Sequence, residues 1–296
     1  MYPVLFSLGK ISMFTFGIFA SLGFFFASFV IWKRARETHF SEEEIFDAIL
    51  LVALSGVFGA RLLYVLLHFP RFGFQLLNWF SIFRVPGMTF FGGLALGVVS
   101  LFFLARRKHW DFFEISDIFV TGIALGQAIG WLGAFFAGTG VGRESKIGLV
   151  FPGYETARLP TQLIWVVGAL GLFIFLWRVE QRYRIFEWYR AGKVSAASGF
   201  LTFSYLVGLG VLATLVSLFT GARVYLTVPI ELFTGVVTTS IGIGGLYIRS
   251  GRDLREDGRK MSDSFKRGVR NGFVSMKQLG RKLRAPLGRT KNKPFS

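Results

Sequence analysis

The sequence predicts an all-α, polytopic integral membrane protein of seven transmembrane helices, with its N-terminus outside and its C-terminus in the cytoplasm. Three observations carry this. The chain has 296 residues, 52% of them hydrophobic, with a mean hydropathy of +0.52, which is too apolar for an ordinary soluble domain. Seven apolar stretches, near 11–32, 46–67, 88–104, 118–137, 162–177, 199–219 and 226–248, approach or exceed the length that crosses a hydrocarbon core of about 30 Å. Finally, Lys and Arg collect on one side. Connections 33–44, 105–117 and 178–198 hold three, three and five, and the residues after Ile248 hold fifteen; the opposite connections, with Lys10, hold seven.

These features divide the chain into a seven-helix body over 1–248, with outer loops at 68–87 and 138–161, and a basic cytoplasmic tail over 249–296. The first apolar run is about 22 residues without an early basic region, so it reads as a span rather than a cleavable signal. There is no Cys, hence no disulfide framework, no thiolate nucleophile and no Cys metal site. The three His fall on different sides, His39 and His109 inside and His68 outside, so neither a metal centre nor a cofactor is expected. The net charge of +17 does not indicate nucleic acid, because fifteen basic residues facing four acidic ones in the tail suit an anionic membrane surface.

Taken in order, the N-terminal segment MYPVLFSLGKISMFTF leads into the first span at Phe16 and Gly17. Before the second span, Ser41 is positioned as an N-cap, with Glu42, Glu43 and Glu44 in the first turn. That span carries Gly56, Gly59 and Arg61, the one charge well inside a span. An intramembrane Arg is costly enough to mark a functional site by default, although it can also snorkel to the interface. Outer loop 68–87 holds Trp79, Phe80, Phe83 and Arg84, aromatics suited to an interfacial belt. Phe91-Gly92-Gly93 opens the third span.

The fourth span ends in GQAIGWLGAFFAGTGVGR, residues 126–143. With Gly122, glycine recurs at 122, 126 and 130, which places three small residues on one helical face and predicts a central, closely packed helix. The fifth span begins at Leu159-Pro160-Thr161-Gln162-Leu163, and the sixth carries Tyr205, Leu209 and Ala213. In the tail, Phe265, Val269, Phe273, Met276, Leu279 and Leu283 recur at steps of three and four among basic residues. This predicts an interfacial amphipathic helix over 262–285, with a disordered basic tail as the alternative.

The 126–143 motif resembles the signature of the bacterial prolipoprotein diacylglyceryl transferases, with Gly130, Gly133, Phe135, Gly142 and Arg143 kept. The resemblance extends to Phe-Ser-x-Gly near the start, to Gly-x-Arg-x-x-Tyr around Arg61, to Gly92-Gly93, and to Pro160-Thr161-Gln162-Leu163. It implies a seven-helix fold in a bacterial cell membrane, and transfer of diacylglyceryl from phosphatidylglycerol to the lipobox cysteine of a preprolipoprotein. It also implies polar residues where this chain has Phe16, Phe91, Trp131, Ala134, Ala137, Thr139, Leu209 and Ala213. Thr139 alone keeps a hydroxyl; none of the eight supplies a base or an intramembrane charge.

The expected ligands of a phosphatidylglycerol or other anionic headgroup are therefore Arg61, Arg143, Gln162, Gly92 and Gly93, with no catalytic residue assigned. The leading reading is a degenerate, phospholipid-binding family member. One alternative is a transferase still active through relocated residues, its base drawn from His68, Glu144, Glu155 or Glu231. The other is a membrane scaffold or lipid-handling subunit.

Overall fold

The computed structural model describes residues 4–8, 11–80, 87–180, 197–220, 224–225, 228–251 and 259. The chain divides into two units, Met1–Ser250 and Gly251–Ser296. In the second only Gly251 and Arg259 are described, so the expected helix over 262–285 lies outside the described residues.

The first unit is mostly helical. Short strands β1 (Val4–Leu8) and β2 (Ile11–Phe14) pair antiparallel and lead into α1, Thr15–Ala35. The first span therefore starts four residues later than its hydropathy indicates, because Ile11 to Phe14 form a strand instead. After α1 come α2 (Glu42–Leu67), the short α3 (Phe69–Phe72) and α4 (Leu76–Phe80), then α5 (Phe90–Lys108) and α6 (Phe112–Ala137). Strands β3 (Glu144–Val150) and β4 (Ala157–Arg158) pair antiparallel across the following loop. The order then runs α7 (Thr161–Glu180), α8 (Phe200–Ser217), the two-residue strands β5 (Val224–Tyr225) and β6 (Val228–Pro229), and α9 (Ile230–Ser250). Seven of these helices, α1, α2, α5, α6, α7, α8 and α9, are long and apolar enough to cross a membrane.

Local chemistry sets several boundaries. The Ser41 hydroxyl accepts the Glu44 N–H at 3.3 Å, as its N-cap position predicts. Asp111 caps α6 by accepting the Phe113 N–H at 2.9 Å, which starts that helix at Phe112, well before its apolar stretch at 118. The early turns of α6 carry Asp117, buried yet satisfied. Its two carboxylate oxygens accept the Gly199 N–H at 2.7 Å and, from Thr202, both the N–H at 2.8 Å and the hydroxyl at 2.6 Å. The side chain thus caps the start of α8 from a different helix.

Helix α6 is the most heavily buried span and packs against α1, α5, α7 and α8, as its glycines predict. The face that meets α1 differs in one position. A Cβ on Gly122 would lie 2.6 Å from the Ala27 carbonyl oxygen, one on Gly126 3.0 Å from that of Gly23, and one on Gly133 2.4 Å from Phe19 Cβ. Gly130 has nothing within 4 Å. Helical geometry explains the change. At about 100° per residue each four-residue step drifts by about 40°, whereas eleven residues from Gly122 return to within about 20° of the same face. Glycines also bring α2 onto α5 and α8 onto α9, where Gly210 meets Gly235. Such close backbone approach is how helices associate in lipid, where no hydrophobic drive acts between them.

Candidate functional site

Helix α6 ends at Gly138, whose φ of 71° is left-handed, and the N–H groups of Gly138 and Thr139 turn back to the Phe135 and Ala134 carbonyls at 3.1 and 3.0 Å. The chain then crosses the start of α7, where polar side chains collect its carbonyls. Gln162 Nε2 donates to Thr139 O at 2.7 Å, and Thr161 Oγ1 donates to Gly140 O at 2.9 Å. Gln162 has 0% exposure, so it lies beneath the loop, and its Oε1 has no hydrogen-bond partner among the described residues.

The next two residues form a backbone clamp. Gly142 donates its N–H to Leu159 O at 2.9 Å; Arg143 donates its own to Phe219 O at 2.9 Å and accepts the Leu159 N–H at 3.1 Å. The clamp ties the ends of α6 and α8 to the start of α7. It also requires glycine at 142, since a Cβ there would lie 2.7 Å from both Phe219 O and Thr161 Cγ2. The Arg143 side chain is exposed, and no hydrogen bond, ion pair or ring contact engages it among the described residues. Its neighbour Arg158 is engaged, donating to Glu144 at 3.1 Å and lying 4.4 Å from the Tyr154 ring centroid.

Arg61 has a different environment. It is 5% exposed, and its Nε, Nη1 and Nη2 donate to the carbonyls of Trp79, Gly87 and Asn78 at 2.7, 3.0 and 3.0 Å. The guanidinium lies over Phe72 and Tyr64, with centroid distances of 5.1 and 5.8 Å. Arg61 therefore fastens the segment after α2 onto that helix. Gly92 and Gly93 sit at the α2–α5 crossing against the backbone of Gly59 and Gly56. The five expected ligands thus fall into two groups: Arg61, Gly92 and Gly93 on the α2–α5 pair, and Arg143 and Gln162 at the α6–α7 junction.

The eight positions at which the resemblance implies polar residues lie largely in packed, apolar surroundings. The Trp131 indole stacks on Trp165 at 5.0 Å with planes 4° apart. Ala134 and Ala137 are buried, while Leu209 and Ala213 on α8 are 0% and 2% exposed. Phe91 is half-buried with its ring 5.7 Å from that of Phe90, and Phe16 is exposed near the start of α1. Thr139 contributes its carbonyl to Gln162 and points its hydroxyl back toward Ala134 O at 3.5 Å. One polar pair does lie deep between α6 and α8, where Tyr205 donates its hydroxyl to Gln127 Oε1 at 3.1 Å.

The candidate bases have mixed positions. His68 Nδ1 lies 2.9 Å from Tyr64 O, and its ring stacks on Tyr64. Glu144 pairs with Arg158, and Glu155 is exposed. The side chain of Glu231 and all of Arg84 lie outside the described residues. Among the described residues no group of His, Asp and Glu is arranged to hold a metal ion.

A family model described as prolipoprotein diacylglyceryl transferase matches residues 3–248. The chain belongs to the prolipoprotein diacylglyceryl transferase family. Among its relatives is the phosphatidylglycerol–prolipoprotein diacylglyceryl transferase of Clostridium tetani (strain Massachusetts / E88), 28% identical over 64% of this chain and 80% of that protein. The protein of the same name from Coxiella burnetii (strain Dugway 5J108-111) is 34% identical over 62% of this chain and 72% of its own length. A third, phosphatidylglycerol–prolipoprotein diacylglyceryl transferase 2 of Clostridium perfringens (strain 13 / Type A), is 27% identical over 56% and 68%. With its seven apolar helices, this membership makes the chain a multi-pass protein of the bacterial inner membrane.

Sequence reasoning within the transferase family frame overlooked Phe219 and Leu159 as backbone partners of Arg143, because neither carries chemistry in its side chain. It also overlooked the Trp131–Trp165 stack. The signal for the Gln162 contact was present, in two polar residues opening an otherwise apolar span.

Proposed function

We infer that this chain holds an anionic phospholipid headgroup of the phosphatidylglycerol class at Arg143 and does not itself transfer diacylglyceryl to a protein. The observation that carries the binding half is the clamp. Arg143 has its backbone held on both sides while its guanidinium is exposed and, among the described residues, unengaged. The clamp fixes the backbone from which the guanidinium extends, and Arg–phosphate hydrogen bonds are charge-assisted and often bidentate. Thr161 and Gln162 contribute by fixing the loop that leads to Arg143. Arg61, Gly92 and Gly93 contribute by shaping the α2–α5 wall and the segment Arg61 fastens.

The chemical half rests on the family resemblance. Positions at which it implies polar groups carry the buried Leu209 and Ala213 and the stacked Trp131. A thiolate-forming step needs a base within hydrogen-bond reach, and these side chains offer none. In this reading Arg143 faces the outer leaflet, the N-terminus is outside and the C-terminus is cytoplasmic. A tag within 144–157 should then be reached from outside the cell, and a reporter fused after Ser296 should be cytoplasmic.

The names of the relatives favour a second reading, in which the chain performs the transfer with a relocated base. Purified full-length protein, incubated with phosphatidylglycerol vesicles and a lipobox peptide, separates the two. Mass spectrometry should find phosphatidylglycerol retained by the protein and the peptide unmodified. A peptide heavier by one diacylglyceryl group would establish the second reading.

A further inference from the structure

Helix α7 starts beside the Arg143 clamp and runs twenty residues to Glu180, so its last turn lies about 30 Å away, at the other end of the bundle. There it meets the last turns of α1. Arg34 is 3% exposed, forms an ion pair with Glu180 and lies 4.9 Å from the Trp177 ring centroid. Lys33 places its Nζ 5.3 Å from the same ring, and Lys33, Trp177 and Arg178 are all exposed.

The Arg34–Glu180 pair accounts for only part of this cluster. Arg34 Nη1 makes that pair, whereas the buried Nε has no hydrogen-bond partner among the described residues. Buried guanidinium N–H groups without an acceptor are costly, and such groups in native proteins ordinarily find one. Arg34 lies in the field of Glu180, Glu37 and Asp117, while Lys33 and Arg178 form no ion pair among the described residues. Its position decides the kind of acceptor. The cluster closes the ends of two membrane spans, the level at which lipid phosphates lie and at which Trp side chains settle. A phosphodiester there could accept from Arg34 and sit beside the Lys33 ammonium and the indole edge.

We propose that Lys33, Arg34, Trp177 and Arg178 form a second binding site, for the phosphate of an anionic phospholipid in the leaflet opposite the one Arg143 serves. The site shares no residue with the clamp, so it holds whether or not the headgroup reading for Arg143 does.

The test uses the full chain carrying Arg143→Ala, which removes the first site. Native mass spectrometry in neutral detergent with added phosphatidylglycerol should still detect one retained lipid. Adding Lys33→Gln with Arg178→Gln should weaken that retention by about 30-fold, from two cations lost near a phosphate. Both side chains are exposed, so the Arg34–Glu180 pair and the melting temperature should be unchanged. The charge-conserving pair Lys33→Arg with Arg178→Lys should restore binding. Phosphatidylethanolamine should bind more weakly, and excess inorganic phosphate should not displace the lipid. The proposal fails if Arg143→Ala alone abolishes retention or if the Gln pair leaves it intact. It fails equally if free phosphate competes, which would make the ligand a soluble anion.

Discussion

Gly59 and Gly92 face each other across the α2–α5 crossing so closely that a Cβ added to either would lie 2.5 Å from the other's carbonyl oxygen. Backbone meets backbone here, and no flexible side chain can yield. Gly59→Ala or Gly92→Ala should therefore separate the helices at a cost of about 1–3 kcal/mol. Gly130→Ala should be neutral or stabilising by up to about 1 kcal/mol, since open space surrounds it and Ala favours helix. Thermal unfolding in detergent micelles checks all three. Equal melting temperatures would show that the crossing is looser than described.

The contrast between Gly130 and Gly92 shows what the sequence made legible. Seven apolar runs predicted seven helices, because lipid leaves backbone polar groups no partner outside a helix or closed barrel. Ser41 announced the start of α2, since capping is local chemistry. Which glycine of a repeated set meets a neighbour depends on helical drift summed over several turns, and Gly133 took the place of Gly130. Helix α6 begins before its apolar stretch because the Asp111 side chain caps it there, and its buried Asp117 finds donors only at the start of α8, 82 residues away for Gly199. Arg61 stood out as an unusual charge, but its carbonyl acceptors Asn78 and Trp79 lie in the short α4 and Gly87 lies before α5, a path that no periodicity describes. At the α6–α7 junction the sequence singled out Arg143 and Gln162, but not the backbone clamp through Leu159 and Phe219.

Asp117→Ala should strand the Gly199 and Thr202 donors at the start of α8. The cost should be about 1–3 kcal/mol for each buried donor left without a partner. Asp117→Asn, which keeps one acceptor oxygen, should recover part of it. Unfolding by increasing denaturing detergent, followed by Trp fluorescence, should rank the proteins wild type, Asn, Ala. An Ala variant as stable as wild type would mean that water replaces the carboxylate without penalty.

Arg61→Gln should loosen the segment that the guanidinium fastens. Hydrogen exchange read by mass spectrometry should accelerate in peptides covering 69–80 while α7 and α8 keep their protection. Arg61→Lys should resemble Gln more than wild type, because one ammonium cannot reproduce three directed N–H bonds to Asn78, Trp79 and Gly87. Unchanged exchange in 69–80 would indicate that other contacts hold the segment.

The clamp at Gly142 and Arg143 separates a structural from a ligand role. Gly142→Ala should cost stability, with a Cβ 2.7 Å from Phe219 O. Arg143→Ala should leave the melting temperature in zwitterionic detergent unchanged, because only backbone groups of that residue join the clamp. A drop for Arg143→Ala equal to that for Gly142→Ala would assign the side chain a packing role.

The most direct measurement is lipid retention and transfer by the same purified preparation. Wild-type protein, Arg143→Ala and Arg143→Lys are each mixed with phosphatidylglycerol and a lipobox peptide, and both protein and peptide are weighed by mass spectrometry. The account predicts that Arg143→Ala retains one phosphatidylglycerol fewer than wild type, and that Lys recovers it only in part. It predicts no diacylglyceryl adduct on the peptide in any sample. A diacylglyceryl-modified peptide from the wild-type protein, or lipid retention indifferent to Arg143, would contradict it.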